Sequence, residues 1–194
     1  MTTGEFKKLF DRIKRIQQGL GQKSGAGFVW DYTFPDGDTH SYRITNLKKP
    51  EEIEDDVTHL FLCVWNAKDY VKELVRQKGG DQKEIERIVN SDRNLSICAD
   101  VANYLKHSVL KKRPRSGHYC RLGDVKYEIP QSCVKGLKFG DHYVETNVSN
   151  PDCITLTMAI KDEQDNILGD AFECLERAII KWESVLSSLN LKLN

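Results

Sequence analysis

Asp100, Asn103 and His107 recur at three- and four-residue spacing in the segment Ile97-Cys-Ala-Asp100-Val-Ala-Asn103-Tyr-Leu-Lys106-His107. On a helix turning about 100° per residue they fall within one narrow arc, with Lys106 on its flank. A carboxylate and an amide beside an imidazole could fix its tautomer. The imidazole could then act as a general acid or base near neutral pH. The arc lies opposite Cys98, Val101 and Leu105, and polar residues facing away from an apolar stripe are most often simply the wet side of a helix.

The preceding helical segment offers a second set. His59, Cys63, Asn66 and Tyr70 share one face, and Trp65 and Asp69 share the neighbouring one. If the two helices pack, Trp65, Asn66 or Asp69 approaches Asn103 and His107. A basic run follows, with Lys106, Lys111, Lys112, Arg113, Arg115, Arg121 and Lys126 set against Asp124 alone. With His118 and Tyr119 it is suited to a phosphate backbone. Cations near a helix C-terminus serve the helix dipole equally well.

The motif pair Trp65-Asn-Ala-Lys68-Asp69-Tyr70 and Ala99-Asp100-Val-Ala-Asn103-Tyr-Leu-Lys106-His107 resembles a group of mostly uncharacterised bacterial and phage proteins. In that group a helix reading W/L-x-K-D-W is followed by one reading A-D-x-x-N-x-x-K-H. The segment Ile167-Leu-Gly-Asp170-Ala-Phe172, running into a helix with Trp182, is similar to their C-terminal part. The group in turn resembles HEPN helical domains, many of them ribonucleases in phage defence. The resemblance implies a functional polar cluster at Asp100, Asn103, Lys106 and His107, and a homodimer, since such domains commonly pair. HEPN ribonucleases rely on an arginine and a histidine on one helix. Arg113 and His118 match that spacing, but Pro114 and Gly117 between them break the helix that would aim both side chains.

The elements that must position these residues follow from periodicity. Phe6, Leu9, Phe10, Ile13, Ile16 and Leu20 recur at helical spacing, with Thr2 and Glu5 as a capping box and Gly19 and Gly21 at the end. Residues 28–34 and 39–45 read as a hairpin about Pro35-Asp36-Gly37-Asp38, and must lie on the helices or join another strand. Residues 50–78 read as a long helix. Its acidic start follows Pro50, and Ile53, Val57, Leu60, Phe61, Val64, Val71, Leu74 and Val75 form the buried face. Shorter helices are expected at 81–91 and 95–111, strands at 125–129, 143–147 and 154–160, and a last helix at 170–189.

The class expected is α+β, a bundle of about four to five helices with a small antiparallel sheet or hairpins. One domain spans 1–194, divided into an N-terminal helix and hairpin (1–48), a helical core (50–112), and strands with the C-terminal helix (117–190). The chain has 194 residues with 29 basic and 29 acidic side chains and no net charge. That size supports one core, and any nucleic-acid affinity must come from a local patch. No apolar run approaches the roughly 20 residues that cross a bilayer, and the N-terminus lacks the apolar stretch of a signal peptide. Six single cysteines without a CxxC pair read as reduced thiols in a cytoplasmic protein.

His118-Tyr-Cys120 and Asp141-His142 lack the spacing of a recognised metal site. Phosphate-binding glycine loops and nucleophile elbows are also missing, so neither a metal nor a cofactor is expected. Three readings follow. The first is a binding module for a protein partner, in phage–host conflict, with Trp65 or the basic loop at its interface. The second is a metal-independent ribonuclease or RNA-binding toxin, with His107 as acid/base, Asn103 and Asp100 orienting it, and Lys106 and Arg113 holding phosphate. The third is a structural subunit.

Overall fold

A computed structural model describes residues 3–107 and 113–190. The described chain is α+β. Five helices, α1 (Thr3–Gly21), α2 (Pro50–Gln77), α3 (Gln82–Ser91), α4 (Arg93–His107) and α5 (Ala171–Ser188), combine with two sheets. Strand β1 (Phe28–Thr33) pairs with β2 (Thr39–Thr45), β2 with β5 (Tyr143–Val148), and β5 with β4 (Val134–Gly140). A three-stranded sheet has β6 (Thr155–Lys161) between β3 (Arg121–Glu128) and β7 (Ile167–Asp170).

Carboxylates set the helix starts. Glu52 accepts the Lys49 N–H at 3.0 Å ahead of α2, and Asp81 accepts from Lys83 at 2.9 Å on α3. Asp92 takes both the Asn94 and Leu95 N–H groups at 3.0 Å, so α4 begins two residues before the first apolar-periodic position. Asp170 accepts from Phe172 and Glu173 with one oxygen and from the Met158 N–H with the other. One side chain therefore caps α5 and fixes it to β6.

The main core lies between α1, α2, α4 and α5 and one face of the three-stranded sheet. All eight apolar positions expected to be buried on α2 are buried. The Trp182 indole enters this core and donates to the Val64 carbonyl at 3.1 Å. A second, smaller core of Ile44, Leu47, Cys133, Val148 and Ile154 holds the base of the four-stranded sheet. Gly27, at φ +86°, lets the chain turn into β1, where a Cβ would stand 2.3 Å from the Ile44 carbonyl.

The architecture departs from a bundle with small hairpins in three respects. The 28–45 hairpin joins β5 in parallel, giving a mixed sheet. Parallel pairing needs a long crossover, and α2 to α4 lie within it. Strand β4 was not expected, because a register shift between Val134 and Gly136 moves its apolar residues from even to odd positions and hides the period of two. The six cysteines are not all free. The sulfurs of Cys133 and Cys153 are in bonding contact as a disulfide, with Cα atoms 6.3 Å apart, while Cys63, Cys98, Cys120 and Cys174 are free and buried. The pair bridges the short turns before β4 and before β6, which sequence spacing does not bring together. Thr2 of the expected capping box lies outside the described residues.

Candidate functional site

Helix α4 is buried without interruption from Leu95 to Ala102, because α2, α3, α5 and β3 surround it. Cys98 and Val101 are buried as periodicity predicts, but two residues depart from the expected division. Asp100, placed on the wet arc, is only 2% exposed, and Leu105, placed on the apolar stripe, is 37% exposed. The buried carboxylate is held by backbone. Its Oδ1 accepts the Arg115 N–H at 2.9 Å and its Oδ2 the Ser116 N–H at 2.6 Å. Asp100 thereby pins the loop after α4 against the helix. Asn103 is half-buried, and Lys106 and His107 are exposed on the last described turn. Lys106 reaches across to α2 and donates to Asn66 Oδ1 at 3.1 Å.

The loop that Asp100 holds delivers Arg115 into a second network. Its Nη1 donates to Glu86 Oε2 at 2.8 Å and to Asn90 Oδ1 at 2.6 Å. The guanidinium carbon sits 5.1 Å from the Trp65 ring centroid, and Lys68 Nζ lies 4.2 Å from it. Trp65 is 9% exposed, so the indole is covered by two cations. Lys68 also pairs with exposed Asp69 at 3.2 Å and with Glu86 at 3.6 Å, and Lys72 donates to Glu86 at 2.8 Å. Trp65, Asn66, Asp69, Lys106 and Arg115 are thus gathered on one side of the helical core. Arg113 is exposed, and Lys111 and Lys112 lie outside the described residues. Glu86 and Asn90, the acceptors of the network, escaped sequence reading. Their i, i+4 spacing on α3 was the available signal.

Glu86 carries the electrostatics of this side. Partial burial pushes its carboxyl pKa up, but hydrogen bonds from Lys72 and Arg115 and the charge of Lys68 outweigh that and hold it at about 2, against an ordinary 4.5. A depressed pKa contributes stability that is present above 4.5 and is lost as the pH falls toward 2. Glu86→Gln is therefore expected to flatten the pH dependence of the urea midpoint within that window and leave it unchanged in slope above. Parallel profiles for the two proteins would show that Lys72 and Arg115 do not hold the carboxylate.

Beside the network a cleft of about 320 Å³ is lined by Asn90, Arg93, Ser96, Arg115, Ser116 and His118 among others. A larger groove of about 470 Å³ runs between α1, β6 and α5, walled by Leu20, Leu60, Ile154, Phe172, Leu175 and Ile179.

The four-stranded sheet presents a different kind of surface. Its register sets Trp30, Tyr42, Val144 and Phe139 in one row across all four strands, and Phe28, Ile44, Thr146 and Leu137 in the next. Trp30 stacks on Tyr42 at 5.3 Å and on Phe28 at 5.8 Å. The base of this face meets the small core, but its outer part is open. Phe139 is 71% exposed, and Trp30, Tyr32 and Leu137 are each more than 40% exposed. The opposite face carries the charged side chains of the strands and ties them to neighbours on that face. Glu145 takes Lys138 at 2.8 Å and Arg43 at 3.5 Å, and Asp31 accepts from Ser41 at 2.5 Å. Each strand's side chains alternate between faces, so these two rows carry no charge, while the opposite face mixes its charges with exposed Val29 and Tyr143. The alternation of Phe28, Trp30, Tyr32 and Phe34 is visible in sequence. The partners Phe139 and Leu137 are not, because β4 is shifted by its bulge.

Comparison of the chain with protein-family models, with curated proteins and with solved structures gives no match.

Proposed function

We propose that this chain is a binding module that docks a protein partner through the open aromatic face of the four-stranded sheet, the partner presenting an apolar, uncharged surface. The observation that carries this reading is the segregation across the sheet. Trp30, Tyr42, Val144 and Phe139 form a continuous apolar row, while Arg43 and Lys138 both pair with Glu145 on the far side. Contiguous exposed apolar area of this kind is costly in water and marks interaction surfaces. A phosphate backbone would require cations on the aromatic rows, and those rows carry none. Docking by the face also agrees with the state of the sheet's β4 edge. Strand β4 has a bulge and two lysines, Lys135 and Lys138, features that discourage strand addition.

The ribonuclease reading draws less support. Both oxygens of Asp100 hold backbone N–H groups of the loop, which leaves the carboxylate a structural task. The binding reading is tested by placing a photo-crosslinking phenylalanine analogue at Phe139 and, separately, at Lys138 one residue away on the charged face. Illumination in the producing cells is expected to give a discrete protein adduct from position 139 and none from 138, with the adduct lost in Trp30→Ser. Equal adducts from both positions, adducts only with a second copy of this chain, or adducts with RNA would overturn it.

A further inference from the structure

Beyond the two rows just described, the rim of the same sheet gathers three side chains with metal-ligating atoms. We propose that Asp38, His40 and His142 form a binding site for a divalent transition-metal ion of the zinc class.

The fold brings these residues together by register alone. Parallel pairing sets Ser41 beside Tyr143, and the Ser41 N–H donates to the His142 carbonyl at 2.8 Å. His40 and His142 therefore stand side by side one position earlier, on the aromatic face, since Tyr42 and Val144 follow them by two residues. Asp38 precedes His40 by two residues and shares that face. The two imidazoles meet edge to face, with centroids 5.6 Å apart. Their ligand atoms and a carboxylate oxygen of Asp38 all lie within 4.8 Å of one another. Around tetrahedral zinc, with bonds of about 2.0 Å, ligand atoms stand about 3.3 Å apart. Rotation of exposed Asp38 and His142 closes that difference.

The backbone beneath the site is fixed. The Phe34 N–H donates to the Asp38 carbonyl at 2.7 Å, the Asp38 N–H to Asp36 Oδ1 at 3.1 Å, and the Phe34 ring packs edge-on against His40 at 5.1 Å. None of the three ligating side chains makes a hydrogen bond or an ion pair with a described residue. The contrast with a second cluster, His118, Asp162 and Glu163, is instructive. There Asp162 already accepts from the Gln164 and Asn166 N–H groups and from the Asn166 amide, and Glu163 accepts from the Tyr119 N–H. Those carboxylates build a turn, whereas the rim cluster has ligand atoms to offer.

Two imidazoles and one carboxylate suit zinc and its neighbours better than calcium or magnesium, which take oxygen ligands. Three protein ligands leave a position open to water or to a side chain brought by a docked partner. Sequence spacing weighs His142 only with its neighbour Asp141, because His40 on β2 and His142 in the turn before β5 are far apart in the chain.

The test uses the full chain freed of metal and titrated with zinc chloride, and separately with cobalt(II), whose visible absorption reports the ligand set. One ion per chain is expected. His40→Ala and His142→Ala should each weaken binding at least about tenfold without moving the thermal midpoint of the metal-free protein, and His118→Ala should leave it unchanged. No binding by the wild-type chain, or binding that survives His142→Ala at full strength, or binding lost in His118→Ala instead, would overturn the assignment.

Discussion

Asp100→Ala is expected to destabilise the fold by about 3 kcal/mol, and Asp100→Asn by about half as much. The carboxylate is buried and makes two charge-assisted hydrogen bonds to backbone N–H groups. Such bonds contribute on the order of 1.5 kcal/mol each, and removing the acceptor strands their donors in a half-buried place. Asparagine restores one acceptor oxygen, which gives the intermediate value. The loss should also free the loop that seats Arg115 on Glu86 and over Trp65. Tryptic cleavage after Arg115 should accordingly be faster in the alanine variant under native conditions. The midpoint of urea unfolding, read beside the rate of that cleavage, checks both parts. If Asp100 instead orients the His107 imidazole, Asp100→Asn would leave the urea midpoint in place and shift the imidazole titration followed by NMR. That result would return the helix face to an acid/base role.

Local rules carried much of the fold. The apolar repeat of α2, the Pro50 start, the Gly79-Gly80 stop and the turn at Pro35–Asp38 all lie where short-range physics puts them. What escaped reading depends on contacts distant in sequence. The arc of Asp100 looked solvated because periodicity assigns one wet and one dry side to a helix. Helix α4 instead lies among three helices and a strand, so its polar residue is buried and finds backbone partners fifteen and sixteen residues on. The parallel pairing of β2 with β5 could not be read from either strand, and with it went the aromatic rows and the histidine pair. Strand β4 was hidden by one bulge. The Trp65 and Lys106 neighbourhood was legible as a gathering of residues, since α2 and α4 do pack. The acceptors that organise it, Glu86 and Asn90, stand on a helix read only for its apolar side.

The second large effect concerns the sheet. Trp30 lies at the β1 end of its row, stacked on both Phe28 and Tyr42 yet 43% exposed. An aromatic residue so placed is the kind that dominates interface energetics, contributing about 2 kcal/mol or more, which is about a thirtyfold change in affinity. Its contribution to the fold is smaller. Loss of cross-strand stacking on an exposed face costs about 1 kcal/mol. Trp30→Ser should therefore separate binding from stability, a separation that a core residue such as Trp182 cannot show.

The most direct measurement of the central claim is a titration of the partner recovered by crosslinking at position 139, against wild-type chain and Trp30→Ser. Half-saturation should move about thirtyfold to weaker binding, while the thermal midpoint of the variant stays within a few degrees of wild type. Unchanged half-saturation in a folded Trp30→Ser protein would contradict the claim and place the working surface of this chain elsewhere.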